Sequence, residues 1–143
     1  MTTRILIMGL PGAGKTTLAL NLMNYLSPNV TWLNADEVRK KYNDWDFSAE
    51  GRLRQSTRMR ELADAASTRY VLADFVCPLP EMRGIYDPHF TIWIDTISEG
   101  RFEDTNQVFV APEKYDIRVT EQDAGRWAKE IYEQISHKIQ SST

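Results

Sequence analysis

The sequence predicts an α/β fold in three layers, with a mostly parallel central sheet of about five strands flanked by helices. Two observations carry this. Short apolar runs alternate along the chain with stretches of helical period. Residues 9–16, Gly-Leu-Pro-Gly-Ala-Gly-Lys-Thr, satisfy G-x-x-x-x-G-K-[ST] directly after the first apolar run and before a helical stretch, the setting of a phosphate-binding P-loop. At 143 residues, 42% hydrophobic and 26% charged, the chain suits a single domain over 1–143.

The elements follow in order. Residues 4–8, with the run Ile5-Leu6-Ile7-Met8, read as a buried strand. Gly9, Gly12 and Gly14 permit a tight loop whose main-chain N–H groups, with those of Ala13, Lys15, Thr16 and Thr17, converge on phosphate oxygens. The helix expected over 15–26 adds its positive end. Lys15 supplies a mobile charge, and Thr16 places a hydroxyl for Mg²⁺. Further strands are expected at 30–34, 70–76 and 90–95, with a fifth at 116–119. Helices are expected at 35–42, 49–67, 80–85 and 121–139. The last has a capping-box-like start in Thr120 and Asp123. Its stripe of Ala124, Trp127, Ala128, Ile131, Ile135 and Ile139 reads as core rather than as a cofactor surface.

Charge and cysteine content exclude several classes of function. Seventeen basic against twenty acidic side chains leave a net charge of −3, so no global basic field recommends DNA or RNA as a partner. Any anion-binding surface must be local. The lone Cys77 excludes an intramolecular disulfide and a cysteine zinc site, and fits a reducing cytoplasm. Four strongly apolar residues before Gly9 are too few for a signal-peptide core or a membrane span, so the expected location is the cytoplasm, with no membrane partner.

In a parallel sheet, ligands gather beyond the carboxyl ends of the strands, which draws attention to Asp36, Asp74 and Asp95. Tyr70-Val71-Leu72-Ala73-Asp74 has the form of a strand ending in a metal-holding carboxylate, although a helix cap or turn former leaves the same pattern. Asp36 and Arg39 share a face if a helix starts near 35: the carboxylate can orient an acceptor hydroxyl and the guanidinium can fork onto an anion. A plain N-cap at Asp36 with an exposed Arg39 is the competing reading. Arg52, Arg54, Arg58 and Arg60 crowd one helix, of which helical spacing lets two or three reach one ligand. Phe47 is either an aromatic platform for a base or a core anchor. Arg101 is the cation available between Asp95 and Phe102, a stretch too short for an arginine-bearing helical lid, and it is a candidate phosphate clamp or a surface side chain.

Four blocks together resemble the adenylylsulfate kinase family. Residues 9–19 resemble its P-loop, and Asn34-Ala35-Asp36-Glu37-Val38-Arg39 resembles its G-D-x-[IV]-R segment. Asp46-Phe47-Ser48 through Gly51-Arg52, Gln55 and Arg58 resembles G-F-S-x-x-D-R-x-x-N-x-x-R, and residues 102–113 resemble F-T-G-I-D-x-P-Y-E-A-P-E. The resemblance implies a P-loop kinase using ATP and Mg²⁺, with Thr16 and Asp74 at the metal and Lys15, Asp36 and Arg101 as catalytic candidates. The expected reaction is phosphoryl transfer to the 3′-hydroxyl of adenosine 5′-phosphosulfate. Asp36 would be the base; Arg39, Phe47, Arg52, Gln55, Arg58 and Arg83 would face this small anionic nucleotide, and Ala111-Pro112 would shape the ATP pocket. The resemblance also admits a homodimer.

The chain departs from the family pattern in three places. Gln55 stands for the usual asparagine, and Cys77-Pro78-Leu79-Pro80-Glu81-Met82-Arg83 keeps the proline and last arginine of S-P-Y-R-x-x-R but not its tyrosine and first arginine. The lid is short as well. These leave two alternatives: a divergent kinase acting on another nucleotide, sugar or small-molecule hydroxyl, or a nucleotide-binding module without efficient transfer.

Overall fold

A computed structural model of the chain describes residues 2–98 and 108–141, with the side chains of 139–141 excepted. The elements run β1 (Thr3–Gly9), α1 (Lys15–Leu26), β2 (Val30–Asn34), α2 (Ala35–Tyr42), α3 (Ala49–Ala65), β3 (Tyr70–Asp74), α4 (Pro80–Tyr86), β4 (Phe90–Ile94), β5 (Ile117–Val119) and α5 (Ala124–Ser141). The strands form one sheet in the order β2-β3-β1-β4-β5, and every pairing is parallel.

The order explains the composition of each strand. β1 is central, paired with β3 on one side and β4 on the other, and Ile5, Leu6, Ile7 and Met8 are fully buried. A strand covered on both faces has no use for alternation. Ile5 and Ile7 join α1 and α5 in one core, where Leu18, Ala19, Leu22, Ala128, Ile131 and Ile135 pack. Leu6 and Met8 face the other layer, with Val38 of α2, Met59 and Ala63 of α3, and Met82 and Tyr86 of α4. β5, at the edge, buries Ile117 and Val119 and exposes Arg118, which pairs with Asp95 and lies 4.8 Å from the Trp93 ring.

Expectation and structure differ at the ends of elements, as at β3, which stops at Asp74 instead of running to residue 76. α3 stops at Ala65, where the extended Ala66 donates its N–H to Ala63, instead of continuing to residue 67. α5 begins at Ala124, because the Asp123 N–H turns back to the Glu121 carbonyl and the chain enters helical bonding only when Trp127 donates to Asp123. Among the described residues, no helix is long and apolar enough to cross a membrane.

α1 and α5 pack on the sheet in one buried layer. Leu22→Ala, at a fully buried position in that layer, is expected to cost about 2–5 kcal/mol. Urea denaturation checks this as a lowered midpoint with an unchanged slope.

Candidate active site

The register brings the ends of β2 and β3 together beside the last residues of β1. Ile7 of β1 and Asn34 of β2 both align with Asp74 of β3, so the loop after β1 emerges beside the Asp74 carboxylate. Gly14 caps α1 at φ 106°, a left-handed conformation that favours glycine, and the helix then begins at Lys15. Lys15 is 9% exposed, and its ammonium donates to the Leu10 carbonyl at 3.0 Å, folded against its own loop. Thr16 Oγ1 donates to Asp74 Oδ2 at 3.1 Å, and Asn34 Nδ2 donates to the same oxygen at 3.0 Å. Burial raises the Asp74 carboxyl above its ordinary value, against the opposing pull of Asn34, Lys15 and Thr16.

α2 continues directly from Asn34, whose side chain accepts from the Glu37 N–H and caps the helix. Asn34 therefore does the capping that the competing reading gave to Asp36. Asp36 is exposed in the first turn and makes no hydrogen bond among the described residues. Arg39 is 5% exposed, not at the surface, and its Nη1 donates to the carbonyls of Asp44 (2.9 Å) and Asp46 (3.2 Å). Its guanidinium lies 4.2 Å from the Phe47 ring centroid, and that of the equally buried Arg52 lies 5.8 Å from it. Phe47 is half exposed, so it is no core anchor.

The remaining arginines divide differently. Arg58 and Arg54 both grip the Asp44 carboxylate at 2.7 Å, and Arg58 also lies over the Tyr42 ring at 4.6 Å. Their hydrogen bonds hold Asp44 well below the usual carboxylate range. Gln55 is buried and donates to the Ala35 carbonyl at 3.0 Å, fastening α3 to the start of α2. Arg83 donates to the carbonyls of Cys77 (3.0 Å), Pro78 (3.1 Å) and Val110, so α4 ties two chain segments together through it. Arg101 and residues 102–107 of the fourth block lie outside the described residues.

On the other side of the loop is a cavity of about 400 Å³, lined by Gly12, Ala13, Gly14 and Thr17 and closed by Thr96, Gln122 and Trp127. Thr96 Oγ1 donates to the Ala13 carbonyl at 2.8 Å, so the turn after β4 is fixed to the loop. Ala111 and Pro112 precede β5 and are not among the lining residues; the wall there comes from residues 121–124. Sequence reasoning missed Thr96, Gln122 and Asp123, and assigned Ala124 and Trp127 to the core alone. The helical stripe of α5 ends at this cavity, which was the available signal.

An all-parallel sheet of this order, with the phosphate loop leaving its central strand and a carboxylate on the neighbouring strand, defines a P-loop kinase fold. The chain belongs to the adenylylsulphate kinase family, whose model matches residues 1–99. A search of curated proteins finds no match. Among solved structures, the chain is similar to the Mycobacterium tuberculosis APS kinase in complex with AMPPNP and APS, with TM-score 0.78 and 18% identity over 94% of this chain and 98% of that one. It is similar as well to a shikimate kinase from Acinetobacter baumannii in complex with shikimate, with TM-score 0.65 and 20% identity over 96% and 95% of the two chains. A sugar kinase from Janibacter matches with TM-score 0.72 and 15% identity over 95% of each chain.

Asp74 yields a prediction with a definite sign. Its native pKa lies above the unfolded one, so the native state binds the extra proton and stability falls as pH rises from about 4 through the raised value. Asp74→Asn removes this dependence. At neutral pH the variant should melt above the wild type, and the difference should vanish near pH 3; a lower neutral melting point would mean that the contacts to Asn34, Lys15 and Thr16 outweigh burial.

Proposed function

We propose that the protein transfers the terminal phosphoryl group of ATP to the 3′-hydroxyl of adenosine 5′-phosphosulfate. One observation carries the reading: Asn34 joins the phosphate side to the acceptor side, bonding Asp74 through its amide while capping the helix that bears Asp36 and Arg39. In this reading the loop amides and Lys15 hold the β- and γ-phosphates, and the 400 Å³ cavity receives the nucleoside of ATP. A hydroxyl and a carboxylate oxygen 3.1 Å apart suit a hard cation, and Thr16 with Asp74 would hold Mg²⁺, which when bound offsets charge on the phosphates. Asp36, exposed and without a hydrogen bond among the described residues, orients the acceptor hydroxyl and takes its proton. Phe47 stacks on the acceptor's ring. Among the described residues only Nη1 of Arg39 is engaged, so Nε and Nη2 are available to an anion.

A second reading, transfer to another small-molecule hydroxyl, draws on Arg83. Among the described residues, three main-chain carbonyls engage its Nε and Nη2, which leaves Nη1 alone to an anionic acceptor.

The test is a panel of acceptors, with adenosine 5′-phosphosulfate, adenosine, a shikimate-like alcohol and simple sugars, incubated with ATP and Mg²⁺ and read by mass. Phosphorylation of the phosphosulfate alone supports the first reading; phosphorylation of another member supports the second. No product with any member, with ATP still bound, leaves a nucleotide-binding module. Asp36→Asn is expected to lower kcat by about 10²–10⁴-fold, with ATP affinity measured by calorimetry unchanged.

A further inference from the structure

Gly51 sits in the first turn of α3, a place where alanine is ordinarily the better residue. Here a Cβ would lie 2.2 Å from the Asp46 carbonyl oxygen and 2.5 Å from its Cγ, closer than any real contact. The Asp46 backbone is pressed onto the helix at the one position with no side chain.

Asp46 is also held at four of its atoms within the segment between α2 and α3. Its N–H donates to Asp44 Oδ1 at 3.2 Å, its carbonyl accepts from Arg39 Nη1 at 3.2 Å, its Oδ1 accepts the Ser48 N–H at 2.9 Å, and its Oδ2 accepts from Arg54 at 3.1 Å. Ser48 then caps α3 by accepting the Gly51 N–H at 3.2 Å. Between these anchors lies Phe47, whose carbonyl accepts from Arg52 Nε at 2.7 Å. The ring and the two buried guanidinium groups cannot move independently of the contact between Asp46 and Gly51.

Set against the family pattern G-F-S-x-x-D-R, the segment 46–52 carries the glycine and the carboxylate in exchanged places. We infer that Asp46 and Gly51 are a matched pair of positioning residues that sets where Phe47, Arg39 and Arg52 meet the acceptor, the carboxylate having moved from the helix to the loop and the glycine from the loop to the helix. This inference rests on the acceptor reading above.

The experiment compares KM for adenosine 5′-phosphosulfate and KM for ATP in the wild type, Gly51→Ala, Gly51→Asp and the double variant Asp46→Gly with Gly51→Asp. Each single variant is expected to raise the acceptor KM about tenfold or more, with the ATP KM within about twofold. Asp46→Gly removes the side-chain Cγ and lets the carbonyl of residue 46 swing away from the new Cβ, so the double variant is expected to return the acceptor KM to within about threefold of the wild type. An unmoved acceptor KM in Gly51→Ala, equal changes in both KM values, or a double variant no better than Gly51→Asp overturns the inference. Where circular dichroism shows Gly51→Ala unfolded, Asp46→Asn takes its place, since it keeps the Asp46 backbone and weakens the bond to Arg54. An acceptor KM raised about threefold supports the pairing, and an unchanged one overturns it. A wild type that turns over no phosphosulfate overturns the acceptor reading and this inference with it, whereas turnover with unmoved KM values overturns this inference alone.

Discussion

The Asp74 carboxylate is the joint on which the site depends. It ends β3, is 3% exposed, and on a single oxygen it receives the hydroxyl of the phosphate-loop helix and the amide that closes β2. An ionised group in so dry a place is expensive unless donors surround it. The protein maintains it where β2 and β3 finish in register beside the last residues of β1, which is where a parallel sheet opens its crevice. The phosphate loop on one side and α2 on the other are held at a fixed separation by this one side chain.

The segment proposed to face the acceptor is stiffened by a different device. Residues 43–48 have no regular structure, yet four arginines of α2 and α3 grip them, two through the Asp44 carboxylate and two through main-chain carbonyls. Arginine suits this work because its planar fork engages several oxygens at once and still presents a face to an aromatic ring. Phe47 therefore stands at the surface without being free to swing. An exposed aromatic held in this way loses little entropy when a flat ligand settles on it.

Much of this was legible in the sequence, for identifiable reasons. The phosphate loop is read directly because its geometry needs particular residues at consecutive positions. The strands are read because each is a short apolar run, and β2 and the helices α1 and α2 have the boundaries the pattern predicts. The end of β3 pointed to Asp74. What could not be read is what the sheet order assembles from afar: Thr96 and Gln122 beside the loop, and the grip on Asp44, whose partners lie ten and fourteen residues away. Arg83 illustrates the same limit. Its place in a motif suggested a ligand contact, while its main-chain partners, one of them at Val110, are set by folding.

The Ala13 carbonyl, held by Thr96 from the turn after β4 and approached by Gln122 at 3.5 Å, has a thermodynamic corollary. Those tethers remove main-chain freedom from the loop as the chain folds, so the disorder that a polyphosphate would otherwise quench is already gone. Grip on the nucleotide is thereby linked to the docking of β4 and α5. Damage to that distant packing would loosen the cradle well before the polypeptide as a whole comes apart.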